Sequence, residues 1–466
     1  MLRTHTRFVS TRRTSDNANR YNFSLSTSLP DRRRYEAQIE RLHANHALTP
    51  AMYSMRQDGV PLADLVRARA VLARLLADAV SSGVYTSQPA RLRTVLADGK
   101  ERRVFSYPPR DTIVHGVVAD ILAEALERQL SPRVFSYRRG VSRWTPITQF
   151  GAYLRSHCRS RPDPRTRGVY VIRADVAAYA DSIPTTGTSH LWELIEQCVG
   201  GGGIEPTHRE LLELTVRPEF VSSLRRGRQT LVSGVATGQP IACVLFNLYL
   251  GDLDRTLDHV PGGFYARYSD DILFAHPDPG LVRKAAVDMR RIASDLGLEF
   301  KDGGPVACFL TVPGRASQVD SDARGVPAVD FLGARIAGDG QVGLKPDKLR
   351  TMLAVLESRA LNAATAISSA DIDHRGRVVC NVLNRCLDPD AGVAGESAAL
   401  LLRVVTDRRQ LAELDYRLAR LVARVVTGDC NVRALRRVGY RTIRADWGLR
   451  SLLHARNRWK HAGRRR

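Results

Sequence analysis

The sequence predicts an α+β protein whose strand-rich centre lies between two mainly helical regions. Two observations identify the centre: an apolar strand pattern at residues 168–172 that leads to Asp175, and two apolar runs at residues 264–276 that flank a pair of acids. A third observation identifies the flanks, where apolar residues recur at helical spacing. We therefore expect a sheet that carries acidic residues and is flanked by helices.

Four segments are predicted in order along the chain. Residues 1–34 are rich in Arg, Ser and Thr and predict a basic, flexible arm. Residues 35–97 predict a helical region, because apolar side chains recur every three or four positions. Residues 98–345 mix strands with helices, and residues 346–466 predict a second helical region that ends in a basic tail.

Several shorter elements are predicted within the mixed segment from their periodicity and from Gly or Pro at their ends. They are an extended segment at 100–114, one helix at 241–257, another at 279–296 and a short hairpin at 328–338. The hairpin at 264–276 differs from these, because its tip holds two adjacent carboxylates, Asp270 and Asp271. It is therefore the candidate functional element.

The charge of the chain is strongly unbalanced. Its 466 residues include 70 Lys and Arg against 48 Asp and Glu, which gives a net charge of +22 and an isoelectric point of about 10.3. Such an excess favours a polyanionic partner, most simply nucleic acid. The 7 cysteines contain no Cys-x-x-Cys pair, so we expect neither a zinc site nor a disulfide framework. Reduced cysteines and the lack of an apolar run of about 18 residues predict a cytoplasmic protein without a membrane span.

Three acidic residues suggest a reaction. The end of a strand and the tip of a hairpin can meet at one edge of a sheet, which would bring Asp175, Asp270 and Asp271 together. Hard divalent cations such as Mg²⁺ prefer carboxylate oxygens as ligands. Two such ions about 4 Å apart can stabilise both the entering and the leaving oxygen of a phosphoryl transfer. The pattern therefore predicts a metal-dependent transferase site.

Several blocks of sequence resemble the bacterial reverse transcriptases, the group that includes group II intron, retron and phage-defence enzymes, and they occur in the same order. The blocks are Lys100-Glu101-Arg102, Phe135 to Ser142, Asp175 to Ile183, Gly238-Gln239-Pro240, Leu245 to Leu250, Arg267 to Asp271, Leu296-Gly297-Leu298 and Phe331-Leu332-Gly333. The resemblance implies a right-hand polymerase with fingers and an antiparallel palm sheet at residues 98–345, followed by a helical thumb at residues 346–466.

The resemblance also implies roles for particular residues. Asp175 and Asp270, with Asp271 and the Val176 carbonyl as further ligands, would hold two Mg²⁺ ions, for which Mn²⁺ would substitute. The residues implied to contact the nucleotide are Lys100, Arg102, Arg138, Val176, Tyr179, Ala180, Gly238 and Gln239. The implied partners are nucleoside triphosphates, an RNA template, a DNA product and a structured non-coding RNA.

Three positions depart from the family pattern. Ala180 stands where the family carries a Phe or Tyr that excludes ribonucleotides, so we expect weak discrimination between sugars. Thr237 replaces the Gln of a Pro-Gln-Gly block, and Lys301 comes too early to match the lysine expected after the Leu-Gly-Leu block. These departures leave the metal-binding acids intact and predict an altered substrate preference.

Three functions remain open from the sequence. The leading interpretation is an RNA-directed DNA polymerase with a role in bacterial anti-phage defence. The second is a template-independent or protein-primed nucleotidyl transferase on the same fold, which Ala180 and Thr237 motivate. The third is a non-catalytic nucleic-acid-binding protein. The three acids argue against this last function, because clustered carboxylates repel phosphate.

Overall fold

The computed structural model describes residues 25–46, 56–57, 60–97, 100–160, 168–200, 204–222, 227–312, 323–388, 401–429 and 433–456. The strands are Arg56–Gln57 (β1), Val60–Pro61 (β2), Ala90–Ala97 (β3), Lys100–Ser106 (β4), Gly168–Asp175 (β5), Glu219–Ser222 (β6), Gln229–Thr230 (β7), Phe264–Tyr268 (β8), Asp271–His276 (β9), Ala307–Thr311 (β10), Arg324–Val326 (β11), Ala328–Phe331 (β12), Ala334–Ala337 (β13) and Val342–Leu344 (β14).

The helices are Leu25–Ser28 (α1), Arg32–His46 (α2), Leu62–Arg67 (α3), Arg69–Ser81 (α4), Pro109–Glu127 (α5), Thr145–Ser160 (α6), Tyr179–Ser182 (α7), His190–Val199 (α8), Pro206–Val216 (α9), Pro240–Tyr249 (α10), Gly251–Asp258 (α11), Pro279–Asp295 (α12), Pro346–Ala366 (α13), Ile372–Cys386 (α14), Arg408–Thr427 (α15) and Arg433–Val438 (α16). A 3₁₀ turn at Lys301–Gly303 and a π-helical turn at Thr442–Asp446 complete them.

The chain folds into two compact units that alternate along the sequence. The first unit is Met1–Gln129 with Thr185–Val244, and the second is Leu130–Pro184 with Leu245–Arg466. The predicted segments ran in simple chain order with borders at residues 97 and 345, so this alternation was not foreseen. None of the helices in the described ranges is long and apolar enough to cross a lipid bilayer.

The first unit contains a four-stranded sheet in the order β4-β3-β6-β7. Its strand β3 corrects the prediction of a helical region up to residue 97. The helical stripe ends with α4, and residues 90–97 form an antiparallel pair with β4. Leu92 lies opposite Phe105, whose side chain is buried in the core of this sheet. Residues 90–97 therefore form a strand because they pair with β4, although the residues before them follow a helical pattern.

The prediction of a flexible arm at residues 1–34 is wrong for residues 25–34. Residues 1–24 lie outside the described ranges, but residues 25–34 include α1 and the start of α2. Leu25 and Leu29 are buried, and the hydroxyl of Tyr35 donates to the Leu29 carbonyl at 3.0 Å. Apolar anchors thus hold this part of the arm in place.

The second unit contains a five-stranded sheet in the order β11-β10-β5-β9-β8. Neighbouring strands are antiparallel, as predicted, except for the parallel pair β10–β11. Strand β5 lies at the centre, where Val169, Val171 and Ile172 are fully buried. A strand that is covered on both faces needs a continuous apolar run, which this stretch supplies. It delivers Asp175 to the end of the central strand.

The core of the second unit continues from this sheet into the C-terminal helices. Leu273 on β9 belongs to the same buried cluster as Leu356 on α13, Leu383 on α14 and Leu418 on α15. Helical structure after Pro346 is thereby confirmed for the described residues. The predicted hairpin at 328–338 is confirmed as well, with β12 and β13 as its strands.

The predicted single helix at residues 241–257 is corrected to two helices. Helix α10 ends at Tyr249, Leu250 has a φ of −97° and a ψ of 15°, and α11 starts at Gly251. The break follows from Gly251, which is a poor residue for a helix interior. It places α11 beside the acidic hairpin as a separate element.

Candidate active site

The predicted acids meet where the central strand and the acidic hairpin run side by side. Asp175, the last residue of β5, is paired in register with Asp271, the first residue of β9. Asp271 also pairs with Tyr268 across the hairpin, which leaves Ser269 and Asp270 as the two-residue turn. Ser269 has a φ of 59°, in the left-handed region that tight hairpin turns use. We call Asp175, Asp270 and Asp271 the acid cluster.

Two carboxylates of the acid cluster, Asp270 and Asp271, have raised pKa values. Burial raises the pKa of Asp270, and the negative charge of Asp175 raises this pKa further. Burial also raises the pKa of Asp271 to about 6. The guanidinium of Arg173 opposes this second shift, because its Nε donates to Oδ1 of Asp271 at 3.3 Å. The raised pKa values mean that an added cation would stabilise the cluster.

Lys301 brings a positive charge to the acid cluster. Its Nζ forms an ion pair with Oδ1 of Asp175 and lies 4.0 Å from Oδ2 of Asp270. The charge of this ammonium lowers the pKa of Asp270 and offsets part of the effect of burial. In the sequence, Lys301 comes too early to match the lysine that the family pattern has after the Leu-Gly-Leu block. The fold nevertheless brings its side chain directly to the acids.

Backbone contacts explain why Lys301 lies there. Val176 forms an isolated antiparallel bridge with Phe300, the residue before Lys301. The N–H of Ala177 donates to the Glu299 carbonyl at 2.8 Å. The chain that leaves the central strand is therefore joined to the chain that enters the Lys301 turn, and the ammonium is carried to the acids.

The acid cluster suits a hard divalent cation, because its possible ligands are carboxylate oxygens. The positive charges near these carboxylates do not balance their negative charge. In the described part of the chain, no three acidic, His or Cys side chains are arranged to hold an ion as they stand. In the acid cluster, the Lys301 ammonium already contacts two of the three acids. A bound ion would compete with this ammonium for the same carboxylate oxygens.

A buried ion pair that was not predicted lies beneath the turn formed by Ser269 and Asp270, which we call the acidic turn. Arg267 on β8 is completely buried, and its Nε and Nη2 each lie 2.6 Å from a carboxylate oxygen of Asp254 on α11. Burial by itself lowers the pKa of Arg267, but the Asp254 carboxylate outweighs burial and the pKa is raised. Nη1 also donates to the Ser269 carbonyl at 3.1 Å, so the pair holds the turn beside Asp270.

Asn247 on α10 extends this buried network. Its Nδ2 donates to the Ser136 carbonyl and its Oδ1 accepts from the Ser136 hydroxyl, each at 2.8 Å. Nη2 of Arg267 donates to the Asn247 carbonyl at 3.1 Å. The sequence signal for the network was a single arginine within the otherwise apolar run of β8. Such a residue requires a buried partner, but the sequence does not show which acid provides it.

Tyr137 is a further residue at the acidic turn that the prediction did not include among the site residues. Its ring is 47% exposed, and its hydroxyl donates to Oγ of Ser269 at 3.3 Å. Its φ of 57° is unusual for an aromatic residue and marks local backbone strain. The ring centroid lies 6.3 Å from that of Tyr268. An exposed ring held at this position offers a surface on which a nucleic-acid base can stack.

Tyr179, a predicted nucleotide contact, lies in the interior of the second unit. Its side chain is buried, and its hydroxyl donates to the Phe246 carbonyl at 2.8 Å. Burial raises the pKa of this hydroxyl well above its usual value. The contact of this ring with a nucleotide stays a prediction. Ala178 before it has a φ of 44°, and Ala180 after it is half-buried in the short helix α7.

The three basic residues predicted to clamp a triphosphate, Lys100, Arg102 and Arg138, differ in their surroundings. Arg138 is half-buried, and its Nη1 donates to the carbonyls of Ser131 and Val134 at 3.1 and 3.0 Å. Its guanidinium is thus anchored to its own loop. Arg102 is exposed on β4 of the first unit. The side chain of Lys100 lies outside the described part of the structure, so the clamp itself stays a prediction.

Gly238 and Gln239 have packing roles within the first unit. Gly238 has a φ of 93°, and a Cβ at this position would lie 2.7 Å from Cγ1 of Val104. Gln239 is buried, and its Nε2 donates to the Phe105 carbonyl at 2.8 Å. The close approach to β4 therefore requires a glycine here, and the contact of Gly238 and Gln239 with a nucleotide stays a prediction.

Comparison with known proteins gives a limited result. No family model and no curated protein matches the chain. Among solved structures it is similar to apo telomerase from Candida tropicalis truncated from its C-terminal domain, with a TM-score of 0.42 and 11% identity, over 56% of each chain. It is also similar to telomerase from Candida albicans in complex with a TWJ fragment of telomeric RNA, with a TM-score of 0.43 and 10% identity, over 81% of this chain and 66% of that one. The chain thus spans less than two thirds of either protein.

Proposed function

We propose that this chain is a nucleotidyltransferase, an RNA-directed DNA polymerase that adds nucleotides to the 3′-hydroxyl of a primer. The observation that carries the proposal is the strand register that pairs Asp175 with Asp271 and leaves Asp270 in the adjoining turn. Crowded carboxylates are unfavourable unless a cation joins them, and they repel phosphate. A surface that only bound nucleic acid would gain nothing from them.

The side chains around the acid cluster have complementary roles in this proposal. The acid cluster and the Val176 carbonyl would hold two Mg²⁺ ions, for which Mn²⁺ would substitute. When bound, the ions would activate the primer hydroxyl and neutralise the leaving pyrophosphate. Lys301, displaced from Asp175, would then be available to pair with phosphate oxygens. The exposed ring of Tyr137 would support a base beside the acidic turn.

The proposed partners follow from charge and chemistry. A net charge of +22 supports binding to nucleic acid, and an RNA template, a DNA product and nucleoside triphosphates are the partners that the reaction requires. Recognition of a structured non-coding RNA, a role in antiviral defence and a cytoplasmic location stay predictions from the sequence.

Primer extension tests the proposal. The full chain is given an RNA template, a DNA primer, deoxynucleotides and Mg²⁺, and we expect template-dependent extension that a chelator abolishes. Asp270→Asn keeps the size of the side chain and removes its charge. We expect it to reduce synthesis by at least about 10²- to 10³-fold, the loss typical when one stabilising group of a transition state is removed.

A matched control uses another aspartate of the same unit. Asp295 on α12 has a side chain that is 64% exposed and pairs with Arg291 at 3.1 Å. Asp295→Asn makes the same charge change and should leave synthesis unchanged. If Asp270→Asn extended primers as well as wild type, the assignment of the acid cluster would be wrong. A wild-type protein that bound RNA without any synthesis would instead favour a non-catalytic nucleic-acid-binding protein.

A template-independent or protein-primed transferase is the second candidate. The half-buried Ala180 in α7 favours it, because a methyl group cannot reject the 2′-hydroxyl of a ribonucleotide as a larger ring would. Each nucleotide is supplied singly, with and without a template strand. A template-directed enzyme extends only with the complementary nucleotide, whereas the alternative extends equally well without a template.

A further inference from the structure

The second unit contains a recess that is lined by arginines. It lies between α6, the turn that joins β13 to β14, and the start of α15, and it has a volume of about 590 Å³. Among the described residues no acid lines it. The residues that matter here are Arg155, Arg408, Arg409, Arg456, Thr406 and Gly340. We call this feature the arginine recess.

One wall of the arginine recess is built by close backbone packing. Gly340 has a φ of 78°, and a Cβ at this position would lie 2.3 Å from the Gly151 carbonyl oxygen on α6. Nη1 of Arg155 donates to the Gly340 carbonyl at 2.6 Å. The turn and the helix are therefore held together, and this part of the recess is preformed.

In the described part of the chain none of the four arginines of the recess forms an ion pair, and Nε of Arg456 is buried without a hydrogen-bond acceptor. Burial, and then the charge of Arg408, lower the pKa of Arg456. Arg408 and Arg409 are exposed at the start of α15, whose first N–H groups are capped by the Asp407 side chain. An anion in the recess would offset the repulsion among its arginines.

Thr406 adds a neutral donor to the recess. Its Oγ1 accepts from the N–H of Val342 at 2.8 Å, which leaves its O–H to donate elsewhere. A hydroxyl donor beside guanidinium groups is a common environment for phosphate oxygens.

We propose that the arginine recess binds a phosphate group, carried by a nucleotide or by a nucleic-acid strand, at a place other than the acid cluster. Guanidinium groups match phosphate oxygens in pairs. The volume lies within the range of about 300–1,000 Å³ that small-ligand pockets occupy, so the recess has room for more than a bare ion. The proposal goes beyond the proposed function, because binding here requires no polymer synthesis.

The test measures binding to the full chain in the Asp270→Asn background with a chelator, so that a nucleotide has no metal at the acid cluster. The probes are dATP and a short single-stranded DNA, each titrated at one fixed salt concentration. The variant Arg408→Gln with Arg409→Gln removes two exposed charges, and Arg456→Gln removes a half-buried one. We expect each variant to weaken binding of at least one probe by about tenfold or more.

The matched control removes two arginines from the same helix, outside the recess. Neither Arg417 nor Arg424 lines the recess. Arg417 pairs with Glu413 at 2.8 Å, and Arg424 pairs with Glu357. Arg417→Gln with Arg424→Gln should change binding by less than about twofold. Thermal melting confirms that all variants are folded.

The outcomes separate the two sources of phosphate. Weaker binding of dATP identifies a free nucleotide as the ligand, and weaker binding of the DNA alone identifies a strand. Equal losses in the control variant would show only a general effect of charge and would overturn the proposal, as would unchanged binding in both recess variants. Because no synthesis is measured, failure of the polymerase assay would leave this result intact.

Discussion

Lys301 forms an ion pair with Asp175 although 126 residues separate them in the chain. The same ammonium lies 4.0 Å from Asp270, so one cation is shared by two members of the acid cluster. A divalent ion at the cluster would bind to the same oxygens. Lys301 and a metal ion would therefore compete, and the ammonium neutralises part of the negative charge of the acid cluster.

Replacing Lys301 should strengthen metal binding. Lys301→Met removes the competing charge and keeps an apolar stem of similar length. Both partners of the pair are about one third exposed, and pairs of this kind are worth about 0.2–1 kcal/mol, so we expect Mn²⁺ to bind up to about fivefold more tightly. Titration of Mn²⁺ by electron paramagnetic resonance measures this without any catalysis.

The control for this experiment is Lys284→Met. Lys284 is on α12, its side chain is 76% exposed, and it lies 4.0 Å from Asp288. This change should leave Mn²⁺ affinity unchanged. Unchanged or weaker Mn²⁺ binding by Lys301→Met would contradict the competition between the ammonium and the metal.

The raised pKa of Asp271 predicts how stability depends on pH. The pKa is near 3.9 in an unfolded chain and about 6 in the fold. Between these pH values Asp271 binds more protons in the folded state than in the unfolded state. The contribution of Asp271 to the free energy of unfolding therefore falls as pH rises from about 4 to about 6. Above that window Asp271→Asn should be more stable than wild type by up to about 2–3 kcal/mol.

Urea denaturation in a chelator, at a pH of about 4 and a pH of about 7.5, checks this expectation. The advantage of Asp271→Asn should be absent at the lower pH. Asp295→Asn should follow the wild-type curve at both. A variant less stable than wild type at both pH values would show that the bond from Arg173 to Asp271 outweighs the cost of burial.

Removing one partner of the buried pair of Arg267 and Asp254 should lower the free energy of unfolding strongly. Replacing both partners by apolar residues should restore much of it. Arg267→Met leaves Asp254 charged in the interior, and such a loss typically costs about 3–5 kcal/mol. Arg267→Met combined with Asp254→Leu removes both charges, so we expect much of this stability to return. Denaturation of the two single variants and the double variant forms a double-mutant cycle.

Activity gives a second readout for the same variants. The double variant still lacks the bond from Nη1 to the Ser269 carbonyl, so the acidic turn loses a support even where stability returns. We expect primer extension to stay low. Additive effects on stability, or full activity in the double variant, would mean that the pair does not act as a unit beneath the turn.

Ala180→Phe should restore discrimination between sugars. A ring at this half-buried position would meet the 2′-hydroxyl of a ribonucleotide, whereas the present methyl group does not. Single-nucleotide incorporation should show the preference for deoxynucleotides rising by about tenfold or more, a difference of about 1.4 kcal/mol between transition states. Ala180→Gly is the matched control and should discriminate as weakly as wild type. Equal, high discrimination by wild type and Ala180→Phe would refute the role of this position.

Some elements were predictable because their signals are local. The apolar run of β5 and the two-residue turn of the acidic hairpin depend on neighbouring residues, and both were found where expected. The errors lie in other elements. Residues 90–97 became a strand because β4 pairs with them, and the helix predicted at residues 241–257 is broken at Leu250.

The amino-acid sequence was sufficient to place Asp175 at the end of a strand and Asp270 and Asp271 at a hairpin tip, since alternation and turn geometry act over a few residues. Only the tertiary structure decided that Lys301 lies among these acids and that Arg267 is buried against Asp254. A buried charge such as that of Arg267 requires a partner, and the contacts of Lys301 depend on residues far away in the chain, so local periodicity encodes neither pairing.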